Sequence, residues 1–360
     1  MTKGNLRRNG AGIFRQTPPD GEAAAVAPIR LCLIGAGGHS RLCHLPALEH
    51  YRRQHPGSVV LAGIADTNRA LAESAATISG AGRVYTDFEV MLREERPDAC
   101  FALVSVSHNA PVAIRLMEAG IPVLMEKPLG ATIGQARRVA EVAARLDARV
   151  MVSMNRRFDP LLREALAWIG GRPARYVRVT MARHNRREEK FLEQTGLHAV
   201  DTLRMIAGDV RSWRAGENIV EGIPWIQIET VFTSGARGLV DVLPTTGAIS
   251  ETYEIFGAGY RAEIHCSENT LSTWRGWENG VLVHDKTLPP GTPACVSNGT
   301  CAETRAFLEN LRTGEALQPA PCDVLPSMEL CHAAAMLHNR GPGSWRDSVF
   351  PDPLPKPDYP

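Results

Sequence analysis

Three short segments of the chain carry residues able to do chemistry. The first, Gly35-Ala36-Gly37-Gly38-His39-Ser40, is a G-x-G-x-x-S turn. Such a turn closes tightly at Gly35 and lets main chain approach a ligand at Gly37. Its small Ser40 allows a following helix to pack closely on the preceding strand, with helix amides facing phosphate. On its own the cluster also fits an ordinary turn. The second, Glu126-Lys127-Pro128, sets an ammonium beside a carboxylate. An ammonium next to a reacting carbon polarises a carbonyl or assists deprotonation of an alcohol, and burial would lower its pKa toward that use. Glu126 could orient it through a charge-assisted hydrogen bond. Taken alone, the pair reads more simply as a surface salt bridge. The third, Gly196-Leu197-His198-Ala199-Val200-Asp201, places His198 and Asp201 three residues apart. Leu197, Val200, Leu203 and Ile206 recur at helical spacing, so the two polar residues share one side of a helix ending near Gly208. Asp201 would fix the histidine ring or position the helix.

The elements around these segments decide which readings hold. Ile29 to Ile34 is an apolar strand, Gly35 to Gly38 the turn, and Ser40 to Tyr51 a helix. Further strands are expected at Val59 to Ala65, Arg83 to Tyr85, Ala99 to Val106, Pro122 to Met125 and Arg149 to Ser153. Helices are expected at Ala70 to Ile78, Asp87 to Glu94, Pro111 to Ala119 and Ala131 to Leu146. Apolar strands alternating with helices predict a doubly wound parallel sheet covered on both faces. The glycine turn then lies where strand meets helix, the context of a dinucleotide fingerprint. Asp66 ends the second strand, where an acid accepts hydrogen bonds from the adenine ribose and favours NAD over NADP. Nearby Arg69 leaves NADP open, and a strand-end Asp is also a common cap. Lys127 falls at the carboxyl edge of the sheet, where such folds bind ligands.

Beyond Asn155, Arg175 to Thr180, Gln227 to Thr233 and Glu251 to Phe256 alternate polar with apolar, which predicts an antiparallel sheet. Late helices are expected at Ala302 to Leu311 and Ser327 to Asn339. The chain has 360 residues, 40 Lys plus Arg against 39 Asp plus Glu, 44% hydrophobic and 22% charged content. That length fits two domains, and the balanced charge argues against a nucleic-acid surface. Eight cysteines with no C-x-x-C spacing, and no apolar run of membrane length, fit a cytoplasmic protein with neither disulfide framework nor metal site. Residues 1–27 read as a flexible leader and 341–360 as a tail.

In order along the chain, the glycine turn, Asp66, Glu126-Lys127-Pro128, Asn155-Arg156-Arg157-Phe158 and the His198 segment resemble the Gfo/Idh/MocA family of oxidoreductases, the relatives of glucose-fructose oxidoreductase and inositol dehydrogenase. The likeness runs from Ile29 to about Asn339. It implies a Rossmann domain over 28–154 and an α/β domain over 155–340 with an open, mostly antiparallel sheet. That sheet would serve to form a homodimer or homotetramer. The implied activity is NAD(P)-linked hydride transfer at a secondary alcohol or ketone of a sugar, cyclitol or related polyol. Lys127, His198 and Gln194 would then be the catalytic positions. The implied cofactor contacts are Gly35, Gly37, Gly38, His39, Ser40, Asp66, Arg69, Ser105, Asn109, Glu126 and Lys127, with His108 beside them. Gln194 stands one turn before His198, where many catalytic members carry Asp, and it cannot take up a proton at ordinary pH. Proton transfer would rest on Lys127 and His198, or Glu193 would substitute after a local shift. Otherwise the chain would be a non-catalytic NAD-binding sensor or assembly protein. Tightly held NAD serving elimination or epimerisation is a further alternative. Arg156 and Arg157 could bind a carboxylate, a phosphate or hydroxyls, or be solvated. Arg183-His184-Asn185-Arg186-Arg187 would be a loop over the substrate or a solvated face.

Overall fold

Six short strands, nearly all buried on both faces, form the first sheet. They are β1 (Ile29–Ile34), β2 (Val59–Ala65), β3 (Arg83–Tyr85), β4 (Ala99–Ala102), β5 (Val123–Glu126) and β6 (Val150–Ser153). All pair in parallel, in the order β3-β2-β1-β4-β5-β6. The order reverses between β1 and β4, and ligand crevices of open α/β sheets form at the carboxyl ends beside such a reversal. The covering helices are α1 (Leu45–Gln54), α2 (Arg69–Ser79), α3 (Phe88–Glu95), α4 (Val106–Glu118) and α5 (Ile133–Arg145). Asn68, Asp87 and Thr132 cap α2, α3 and α5 with side-chain oxygens, each satisfying amides that a helix start leaves unpaired. The computed structural model describes residues 27–266, 272–338 and 346–349. The expected leader, apart from residue 27, and most of the expected tail lie outside the described residues.

Several boundaries differ from the sequence expectation, and two of them matter to the crevice. The fourth strand stops at Ala102 instead of running to Val106, because Leu103 turns its carbonyl against the glycine turn. A Cβ on Gly35 would sit 2.3 Å from Leu103 O. The following helix then starts at Val106 rather than Pro111, which lies inside it. The helix after the glycine turn opens as a π-helical segment, Ser40–His44, before α1.

The second sheet is assembled from β7 (Ala174–Ala182), β8 (Val210–Val220), β9 (Ile223–Phe232), β10 (Arg237–Leu243), β11 (Ser250–Gly257), β12 (Tyr260–Cys266), β13 (Thr273–Glu278), β14 (Val281–Thr287) and β15 (Arg346–Val349). Its order is β14-β13-β12-β11-β7-β10-β9-β8-β15, antiparallel except for the central β7–β10 pair. On β9 and β11 burial alternates along the strand, so one face packs inward and the other stays accessible. Helices α6 (Pro160–Ile169), α7 (Leu197–Ala207), α8 (Ala294–Ser297), α9 (Thr300–Thr313) and α10 (Pro321–His338) complete the chain. Within the second half, α7 lies across β7 and β10, while α10 packs on both α5 and α7. The late segment returns to the first sheet: α9 packs on α1, and Phe307, Leu308 and Leu317 join the core formed around Leu31 and Leu33. Residues 346–349 of the expected tail add an edge strand beside β8.

Candidate active site

At the end of β1, Gly35 has φ +95°, a left-handed backbone that only glycine adopts without strain. Its amide bonds Ala65 O at 2.8 Å, and Ser40 Oγ donates to Gly35 O at 2.7 Å. Gly37 and Gly38 face open space, with no protein atom within 4 Å of where a Cβ would project. The bend is therefore held from behind and clear in front, the shape a pyrophosphate needs. Asp66 accepts from the amides of Ala36 (2.7 Å) and Asn68 (2.8 Å), which ties the end of β2 to the turn. Arg69 is engaged by Glu73 at 2.8 Å.

Glu126 ends β5 as a buried carboxylate. The Nε2 atoms of His39 (3.1 Å) and His44 (2.9 Å) both meet its Oε1. Burial opposes its charge, but the hydrogen bonds with His39 and His44 prevail and hold the carboxyl well below its usual range. His39 is raised to about 10, by hydrogen bonding with Cys43 and then with Glu126. The carboxylate reaches the Lys127 main-chain amide (3.1 Å), whereas an orienting bond to the ammonium itself was expected. Instead Lys127 Nζ donates to the main-chain oxygen of Gln194 at 3.1 Å. That oxygen belongs to a π-helical turn, Leu192–Gly196, which runs into α7. Wider i→i+5 turns displace main-chain groups from the ordinary α-helical ladder and recur at functional sites. Gln194 thus meets Lys127 through its backbone, and Glu193 bonds His332 Nδ1 on α10 at 2.8 Å. Asn109, on α4, grips the main chain on both sides of Lys127, donating to Glu126 O (3.2 Å) and Pro128 O (2.9 Å). Ser105 and His108 pair at the exposed start of the same helix (2.9 Å).

The opposite wall is cationic. Burial lowers the pKa of Lys127; Glu126 opposes that shift, and Arg156, Arg186 and Arg183 reinforce it. His198, buried on α7, lies well below its ordinary value through burial, then through Lys127 and Arg156. Its ring is neutral, and Nδ1 has no hydrogen-bond partner. Asp201 does not fix this ring. It takes a two-pronged bond from Arg157 (2.7 and 2.8 Å) and one from Ser327 Oγ (3.0 Å), so it anchors α7. Arg156 forks onto Glu251 of β11, Nη2 to Oε1 at 2.7 Å. Arg183 bonds the same oxygen, and Tyr253 donates to Oε2 at 2.6 Å. Burial disfavours charge on Glu251, yet Arg156 and Arg183 keep it well below the carboxylate range.

Sequence reasoning did not single out Glu251, Tyr253 or His44. For Glu251 a signal existed: it shares the inward phase of β11 with Tyr253 and Ile255, and a charge on a buried phase demands partners. His44 offered none beyond its position five residues after His39.

Residues 29–154 match the model of the Gfo/Idh/MocA oxidoreductase family with NAD-binding Rossmann fold. Over 327 residues the chain is 28% identical to inositol 2-dehydrogenase 4 of Saccharopolyspora erythraea, covering 85% of this chain and 90% of that protein. It is 26% identical to D-apiose dehydrogenase of Paraburkholderia graminis over 66% of this chain and 70% of the relative. The crystal structure of a dehydrogenase from Chromobacterium violaceum superposes with a TM-score of 0.77 at 16% identity, covering 88% of this chain and 98% of that one, which establishes likeness of fold. With the glycine bend and the six-strand parallel order in place, residues 29–154 are similar to the NAD-binding Rossmann domain of the Gfo/Idh/MocA oxidoreductase family, and the second sheet follows it as in the neighbouring fold.

Proposed function

We propose that the protein oxidises a secondary alcohol of a sugar, cyclitol or related polyol, with NAD as the hydride acceptor. When bound, the nicotinamide supplies the hydride-accepting carbon. The observation that carries this reading is the Lys127 ammonium: depressed in pKa, anchored on Gln194 O, and coupled electrostatically to neutral His198. An amine of lowered pKa beside a neutral imidazole can hold and pass the hydroxyl proton, so the side-chain amide of Gln194 is not needed for that task. Gly35, Gly37, Gly38 and Ser40 would form the pyrophosphate cradle. His39, protonated beside it, would add positive charge. Ser105, Asn109 and Glu126 would shape the nicotinamide end. The names of the two relatives, an inositol and an apiose dehydrogenase, support polyol chemistry.

Asp66, held by two amides with Arg69 engaged elsewhere, supports NAD over NADP. The second sheet would carry self-association, and Val281, Leu282 and Val283 on β14 expose apolar surface suited to it. Sedimentation analysis of the purified chain reads the subunit number. The test of the activity is NADH formation on incubation with NAD and a panel of inositols, pentoses and hexoses. Turnover of at least one is expected; NAD binding without turnover of any would favour the sensor reading.

A further inference from the structure

Of the basic stretch before α7, Arg183 is buried and Arg186 half-buried, while His184, Asn185 and Arg187 are exposed. Arg183, with 6% of its side chain exposed, shares the Glu251 carboxylate with Arg156. Arg186 pairs with Glu188 and reaches Thr195 Oγ1 at 3.4 Å. Thr195 follows Gln194, whose main-chain oxygen holds Lys127 Nζ. Arg156 and Arg183 thus share Glu251, Arg186 pairs with Glu188, and all three guanidiniums act on the Lys127 ammonium, four cations against these two carboxylates. The other nearby carboxylates are committed elsewhere: Glu126 to His39 and His44, Asp201 to Arg157, and Glu193 to His332.

This leaves an excess of two positive charges in a partly buried crevice. Like charges at low dielectric repel, and a neutral polyol would add hydroxyl contacts without relieving the repulsion. An anionic group would relieve it and form charge-assisted hydrogen bonds with the guanidiniums. Resting on the hydride-transfer reading above, we propose that the substrate is anionic: a sugar or polyol carrying a carboxylate or a phosphate, bound on the Arg186 side of Lys127. The anion takes no part in the redox step. The alcohol carbon loses a hydride to NAD and its hydroxyl loses a proton, giving a ketone and NADH.

The experiment measures binding to the NADH-saturated protein, by calorimetry, of D-glucitol, D-gluconate and D-glucitol 6-phosphate. These share a carbon chain and differ in charge. At least one anion should bind roughly tenfold or more tightly than glucitol, the scale of a charge-assisted hydrogen bond, with the advantage shrinking as salt rises. Which anion wins separates carboxylate from phosphate recognition. Binding of both anions no tighter than glucitol, or of neither at all, overturns the proposal. Arg186→Gln should cut the preference for the anion over glucitol several-fold, and an unchanged preference would also overturn it. Turnover is read separately: anion preference without oxidation of any polyol would remove the dehydrogenase reading and leave the anion site standing.

Discussion

Two buried carboxylates, Glu126 and Glu251, are kept ionised by different means. Glu126, at the end of β5, is held by two imidazoles and a main-chain amide. Glu251, on the second sheet, is held by two guanidiniums and a phenol. His39 is raised to about 10, and guanidiniums stay charged at every ordinary pH. The contrast teaches that the histidine clamp can lose charge only under alkaline conditions, while the arginine clamp does not lose it at all. A third carboxylate shows what happens without such partners. Glu303, at the start of α9, is fully buried, bonded to Ser153 Oγ at 2.9 Å, and pushed up to about 8 by burial.

The contrast breaks most sharply at Glu251. Replacing it by alanine leaves Arg156 and Arg183 facing each other without a counter-ion, and chemical denaturation should show a loss of about 3–5 kcal/mol. A loss below ~1 kcal/mol would mean that water or a shifted side chain serves the arginines as well. Glu303 gives the next effect. Its folded-state pKa lies above the unfolded value, so the folded state binds the extra proton and stability falls as pH rises from about 4.5 through about 8. Glu303→Gln should remove this slope and stabilise the protein at alkaline pH by on the order of 1–3 kcal/mol. A wild-type slope retained in the variant would place the titration elsewhere.

The smallest effect belongs to His39. Its pKa is raised from 6.5 to about 10, so its contribution is fully present below 6.5 and is lost as pH rises through 10. The side chain is 55% exposed, and solvent screening limits the contribution to less than ~1 kcal/mol. His39→Gln should flatten stability between those pH values by that amount, measured by thermal melting. An unchanged slope would assign the pH response to another group.

Much of this site was legible in the sequence, for identifiable reasons. β1 and β2 were readable to the residue because parallel strands buried on nearly every side are near-continuous apolar runs. Gly35, Asp66 and Lys127 stood out because strand ends in such a sheet converge on one edge. Pairings across the molecule were not legible. Nothing local tells that Arg157 bonds Asp201, 44 residues on, or that Arg156 bonds Glu251, 95 residues on. The strands from β12 to β14 escaped notice because β14 is nearly all exposed and β13 carries large aromatics beside charges. Helix α4 was misjudged at its start because Pro111, a common first helical residue, lies in its interior here.

The account turns on the Lys127 amine held on Gln194 O, and Lys127→Ala tests it directly. NADH affinity by fluorescence titration should stay within a few-fold of wild type, while turnover of the best substrate falls by roughly 100-fold or more, the scale of a lost acid/base group. Turnover within a few-fold of wild type, with the same NADH affinity, would contradict the account.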